Sequence, residues 1–169
     1  MTPPANIYIV AQRVAQGCSG KKVTPSEADS AMTQVMVHEM GHALEFHILG
    51  RPGGNRMRAE GFASWFEHYA AGHSSLLSRT KIKNDMLRLA KFSFAKDKKS
   101  FHFDGSAAHY GRASLYFFAI ADRRGARGVL DVYEKMHKER LDFFGGVKRV
   151  LGWSKEQLEK EVYRFVSRN

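Results

Sequence analysis

Apolar and polar positions alternate at helical spacing over most of the chain, and a single short run breaks that rule. Between residues 24 and 50, Ala31, Val35 and Phe46 share a period of three to four residues with His38 and His42. Thr24-Pro25-Ser26-Glu27 supplies the start of that helix. Thr24 can cap it, Pro25 suits the first helical position, and Glu27 completes a capping box. Gly50 supplies the stop. A tight connection, Arg51-Pro52-Gly53-Gly54-Asn55, leads into a second helix over residues 58–69, with Asn55 as its cap.

Further helices are predicted at about residues 82–92, 107–124, 127–138, 142–151 and 154–167. Arg123 and Arg124 before Gly125 form a cation-then-glycine helix end, and Ser154 to Gln157 forms a second capping box. Residues 101–106 read as a loop. The exception to the helical pattern is Asn6-Ile7-Tyr8-Ile9-Val10-Ala11, a β-branched and aromatic run that is the best strand candidate. Gly17-Cys18-Ser19-Gly20 breaks the chain after it. The expected fold is mainly α (α+β), one helical domain over residues 1–169 with a reduced N-terminal strand or sheet. No repeat or low-complexity segment interrupts it.

Composition narrows the function classes. At 169 residues, 43% hydrophobic and 12% aromatic, the chain can bury a core of its own. No apolar run approaches the roughly 20 residues of a membrane span. Met1-Thr2-Pro3-Pro4-Ala5-Asn6 contains no basic region followed by an apolar stretch, which points to a cytoplasmic protein or a processed secreted domain. The lone Cys18 excludes an intrachain disulfide and a cysteine-based zinc finger. Net charge is +10, from 27 basic and 17 acidic residues. Such an excess favours acidic partners. No nucleic-acid motif accompanies it, so it reads as a solvated basic surface and nucleic acid is not the expected partner.

The chemistry concentrates in His38-Glu39-Met40-Gly41-His42, an H-E-x-x-H sequence inside the first helix. Residues i and i+4 lie one turn apart on one face, so both imidazoles can reach one Zn2+ ion at about 2.0–2.1 Å. Glu39 stands beside the open coordination position as candidate general base. Catalytic zinc takes three protein ligands and a water, so a third ligand is required. Glu45 lies seven residues from His38, about 10 Å along the same helix, and is too far. His47 does not fit a metzincin arrangement. Two helices joined by about five residues pack as close neighbours, which lets Glu60 face His42 across the crossing. Small Gly61, Ala63 and Ser64 would permit the approach. Glu60 is the best candidate, with Glu67 as the alternative ligand or as a partner behind a ligand. His68 and His73 read as surface residues.

With His38-Glu39-x-x-His42 followed by Ala59-Glu60-Gly61-Phe62-Ala63, the sequence resembles the gluzincin metallopeptidases, the superfamily of thermolysin and the aminopeptidase-N-type enzymes. The second segment is similar to their N-E-G-F-A motif, with Ala59 where Asn is usual. Seventeen residues separate His42 from Glu60, one fewer than the aminopeptidase-type spacing. His109-Tyr110-Gly111-Arg112 resembles the family's Y-x-K-G segment, whose tyrosine steadies the oxyanion. That resemblance implies Tyr110 in the role, with His109 as rival. A G-x-M-E-N exopeptidase motif is not visible.

The resemblance implies a zincin-like helical catalytic domain that hydrolyses a peptide or protein substrate. His38, His42 and Glu60 would bind zinc, and Glu39 would act as base. Two rivals remain at this level. One is an inactive gluzincin-like binding or scaffold module, against which the intact Glu39 counts. The other is a basic nucleic-acid-binding domain in which the histidine pair is structural.

Overall fold

A computed structural model describes residues 24–50, 55–96 and 101–169. Six helices follow in order: α1 Pro25–Leu49, α2 Arg56–Ala71, α3 Arg79–Lys96, α4 Ala107–Glu139, α5 Phe143–Leu151 and α6 Lys155–Arg168. The described residues contain no strand, and the fold is mainly α. The strand expected at residues 6–11 lies outside the described residues, as does Cys18.

Local chemistry sets most of the helix starts. The Thr24 hydroxyl accepts from the Glu27 backbone N–H at 3.3 Å while the Glu27 carboxylate accepts from the Thr24 N–H at 2.8 Å, the capping box expected there. Asn55 caps α2 through a 3.1 Å bond from the Arg58 N–H. Ser154 caps α6 through the Gln157 N–H. At its far end α1 stops on Gly50 with φ 64. The predicted break at Gly125 is present but milder than expected. Ala107–Glu139 runs as one helix bent at Gly125, where φ is 68 and ψ is −178.

Helix α4 is the axis of the assembly and packs against all five others. The core lies where it meets α2 and α5. Phe62 stands 4.8 Å from the Tyr133 ring, and Phe117 stands 5.2 Å from Phe143, all four fully buried. Burying one such side chain contributes about 1.5–3 kcal/mol.

The crossing of α1 and α2 is tight because of one glycine. A Cβ on Gly41 would come 2.8 Å from the Ala63 Cα, so only glycine lets these backbones meet. Of the small residues expected to serve this crossing, Ala63 does so. Gly61 instead faces α4, where a Cβ would stand 2.6 Å from the Ala113 carbonyl oxygen.

A buried polar group ties the same elements together below the crossing. The Arg58 Nε donates to Glu45 Oε1 at 2.9 Å, and the Tyr133 hydroxyl donates to the same oxygen at 2.7 Å. Burial, with the Glu45 charge beside it, keeps the Tyr133 phenol protonated far above its ordinary range.

Candidate metal centre

His38 and His42 project from the middle of α1, thirteen or more residues from its capped start, where the backbone ladder holds both side chains in place. Their rings meet edge to face, with centroids 4.8 Å apart. Glu60, on the second turn of α2, enters from across the Gly41–Ala63 crossing. Its Oε2 lies 3.2 Å from His38 Nε2 and 3.3 Å from His42 Nε2. One ligand atom from each of the three residues falls within 4.8 Å of the other two.

This donor set fits zinc. Two ligand atoms at about 2.0–2.1 Å from a tetrahedral ion stand about 3.3 Å apart, which matches both contacts made by Glu60. The ring of His38 is also fixed from behind. Glu67 Oε1 lies 2.6 Å from His38 Nδ1, and Gln34 Nε2 donates to Glu67 Oε2 at 2.6 Å. A carboxylate holding the Nδ1 proton directs the Nε2 lone pair at the metal position and raises ligand basicity. Of the two acids considered for third ligand, Glu60 is the one that reaches both Nε2 atoms, and Glu67 lies behind His38 on Nδ1.

Charge is concentrated in the cluster. Burial opposes a proton on His38, but hydrogen bonds to Glu60 and Glu67 overcome it and raise its pKa from 6.5 to about 9. Burial likewise works against ionised Glu60, yet the two histidines hold its carboxyl well below the usual carboxylate range.

Tyr110 completes the wall. Its ring stacks on His38 with centroids 6.2 Å apart, and its hydroxyl interacts with Glu60 and with the Arg56 guanidinium. Burial and the Glu60 charge push the phenol up, so it is an O–H donor at neutral pH. Arg56 Nε in turn lies 3.7 Å from Glu60 Oε1.

Glu39 follows His38 on the helix and is half-buried. Among the described residues no hydrogen bond or ion pair engages its carboxylate, which leaves it available to a substrate or a water.

His109 is placed elsewhere. Neighbours on a helix point about 100° apart, so when Tyr110 faces α1 His109 turns toward the 101–106 loop. There it is buried, accepts the Asp104 N–H on Nδ1 at 2.9 Å, and meets Phe101 edge to face.

His73 is exposed as expected, but His68 is not a surface residue. It is buried between α2 and α3, its Nδ1–H donating to the Arg79 carbonyl at 3.1 Å and its Nε2 accepting from Arg79 Nε at 3.1 Å. Burial lowers its pKa and keeps it neutral. With both nitrogens engaged, it has no lone pair to offer a metal.

Three contributors to this region were not singled out from sequence: Gln34, Arg56 and the Glu45–Arg58–Tyr133 group. Spacing alone points to the first two, since Gln34 precedes His38 by four residues and Arg56 precedes Glu60 by four. Comparison with protein-family models, curated proteins and solved structures gives no match for this chain.

Proposed function

We propose that this chain is a zinc-dependent hydrolase of peptide bonds with the gluzincin arrangement of two histidines and a glutamate. The observation that carries the reading is one Glu60 oxygen from α2 lying 3.2 Å from His38 Nε2 and 3.3 Å from His42 Nε2 on α1. His38, His42 and Glu60 would hold the metal. A zinc ion there supplies a Lewis acid and brings the pKa of coordinated water down toward about 7.

The remaining chemistry belongs to the side chains. Glu39, whose carboxylate has no partner among the described residues, stands one residue from His38 and would take the proton from the attacking water, then pass it to the leaving amine. The Tyr110 hydroxyl would donate to the oxygen that gains charge as the carbonyl becomes tetrahedral, aided by the adjacent Arg56 cation. Glu67 and Gln34 would hold His38 in one tautomer and orientation throughout.

The test pairs elemental analysis of purified protein with a chelator-sensitive assay on an unfolded protein and a peptide library. Stoichiometric zinc, hydrolysis abolished by chelator, and hydrolysis lost with zinc retained in Glu39→Gln are the expected results. Zinc without hydrolysis under all conditions favours a binding module instead.

A further inference from the structure

On the far side of α2 from the metal cluster lies an open cleft of about 550 Å³, bounded by α2, α3, α4 and α6. Its size is that of a small-molecule site. Tyr69, in its lining, follows Glu60 by nine residues, about two and a half turns, and so projects from the opposite side of α2. The cleft shares no lining residue with the metal centre, and its occupancy is independent of the hydrolase reading. Gly125, where α4 bends, is part of the lining.

Two cations one turn apart on α3 line this space, and a neutral group holds each of them. Arg79 Nε donates to His68 Nε2 at 3.1 Å, while His68 Nδ1–H donates to the Arg79 carbonyl at 3.1 Å. One buried histidine thus grips the same arginine twice. The two Nη groups of that guanidinium have no hydrogen-bond partner among the described residues. Lys83 Nζ donates to Asn169 Oδ1 at 2.6 Å and stands 5.4 Å from the centre of the Phe165 ring. Neither cation forms an ion pair among the described residues. Nearby cations are instead neutralised by acids: Arg168 by Asp122, the acid of the lining, at 3.1 Å, and Arg88 by Asp85 at 3.4 Å. A neutral partner positions a cation without cancelling its charge. His68 registers that charge, because Arg79 and Lys83 both add to the effect of burial in lowering its pKa.

We propose that this cleft binds a small molecule in which a phosphate group is joined to a flat aromatic ring. A phosphate carries nearly two negative charges at neutral pH and offers three acceptor oxygens. The free edge of Arg79 can meet two of them as a fork, and Lys83 supplies a second point charge. The ring has a platform as well. Tyr69 is 40% exposed, and Trp65 braces it with ring centroids 5.6 Å apart. A planar group lying on Tyr69 gains offset stacking while its phosphate reaches α3.

Titration calorimetry with adenosine monophosphate (AMP), adenosine and inorganic phosphate tests this on zinc-loaded and on chelated protein. AMP should bind both forms, at least about 10-fold more tightly than either fragment, since each fragment makes only half the contacts. Arg79→Gln should weaken AMP binding roughly 10- to 100-fold, the usual cost of losing a hydrogen bond to a charged group. Lys83→Gln should act in the same direction and serves as the second variant if Arg79→Gln does not fold. Tyr69→Ala should weaken AMP roughly 5- to 100-fold and leave inorganic phosphate unchanged. Zinc content should stay at the wild-type level in all three variants. No AMP binding at millimolar concentration overturns the site, as does AMP binding that the three variants leave intact. Binding lost on chelation puts the phosphate on the metal instead and overturns it too. Equal affinity for AMP and inorganic phosphate removes the ring from the ligand. Salt-steep binding of single-stranded DNA by a protein that ignores AMP replaces the small-molecule site with a polyanion surface.

Discussion

Glu67 grips His38 by the ring nitrogen that faces away from Glu60, with 2.6 Å between Oε1 and Nδ1. One imidazole is thus held between two carboxylates, one at each nitrogen. On the zinc reading their duties differ: Glu60 would bind the ion, and Glu67 would hold the ring ready for it. Glu67→Gln should weaken zinc binding about 10- to 100-fold without changing its stoichiometry, the usual cost of losing such a partner. Competition with a chromogenic chelator measures this, and wild-type affinity in the variant would detach Glu67 from the metal centre.

Glu60 and Glu39 should separate cleanly. Glu60→Ala removes a ligand and should lower zinc affinity by more than the roughly 10- to 100-fold of the Glu67 variant. Glu39→Gln should keep wild-type zinc content and lose turnover. If Glu39→Gln loses its zinc instead, the assignment of base and ligand is reversed.

Tyr110→Phe keeps the stacked ring on His38 and deletes only the hydroxyl. Zinc content should hold, and kcat should fall about 10²- to 10³-fold, as for loss of one donor to a developing oxyanion. His109→Gln should act differently, loosening the 101–106 loop that it ties through Asp104. Limited proteolysis within that loop reads the change.

The metal-free and loaded proteins should respond to pH in opposite directions. Without metal, the raised pKa of His38 stabilises the fold fully below its ordinary 6.5, and that contribution is lost as pH rises through about 9. The melting temperature of chelated protein should therefore fall between those values. Zinc must displace the proton from His38 Nε2, so zinc affinity should rise over the same range, and uptake at pH 7 should release about one proton. Calorimetry in buffers of different ionisation enthalpy counts that proton. Parallel pH slopes for the two forms would contradict the contact between His38 and Glu60.

Removing Arg58 strands a buried carboxylate. Arg58→Ala should cost about 3–5 kcal/mol of unfolding free energy, and the double variant with Glu45→Ala should cost less than the sum of the single changes. Urea unfolding of the zinc-free proteins isolates this from metal binding.

What could be read from the sequence was local. Thr24, Asn55 and Ser154 announce their helices because a cap is written in four consecutive residues. His38 and His42 announce a ligand pair because helical spacing alone places them together. Glu60 required one further step, that a short connection makes neighbours of two helices. Arg56 was overlooked because a cation in the first turn of a helix opposes the helix dipole and looks like a solvated side chain. Its role depends on Tyr110, which arrives from α4. His68 looked exposed because the group that covers it, Arg79, comes from the next helix. The Tyr133–Glu45 bond joins residues 88 apart, and no local pattern contains it. A break at Gly125 was legible from the two arginines and the glycine, but the helix runs on through it as a bend, which no local pattern shows.

The notch where Gly41 receives Ala63 fixes the gauge of the whole site. His42 is the next residue along one backbone and Glu60 lies less than a turn before Ala63 on the other, so the distance between ligands is inherited from two main chains in contact. A single added methyl at position 41 would act as a wedge, prising histidine and glutamate apart without touching either. The hydrogen that stands in place of a side chain at position 41 is what holds the two imidazoles and the carboxylate at that spacing.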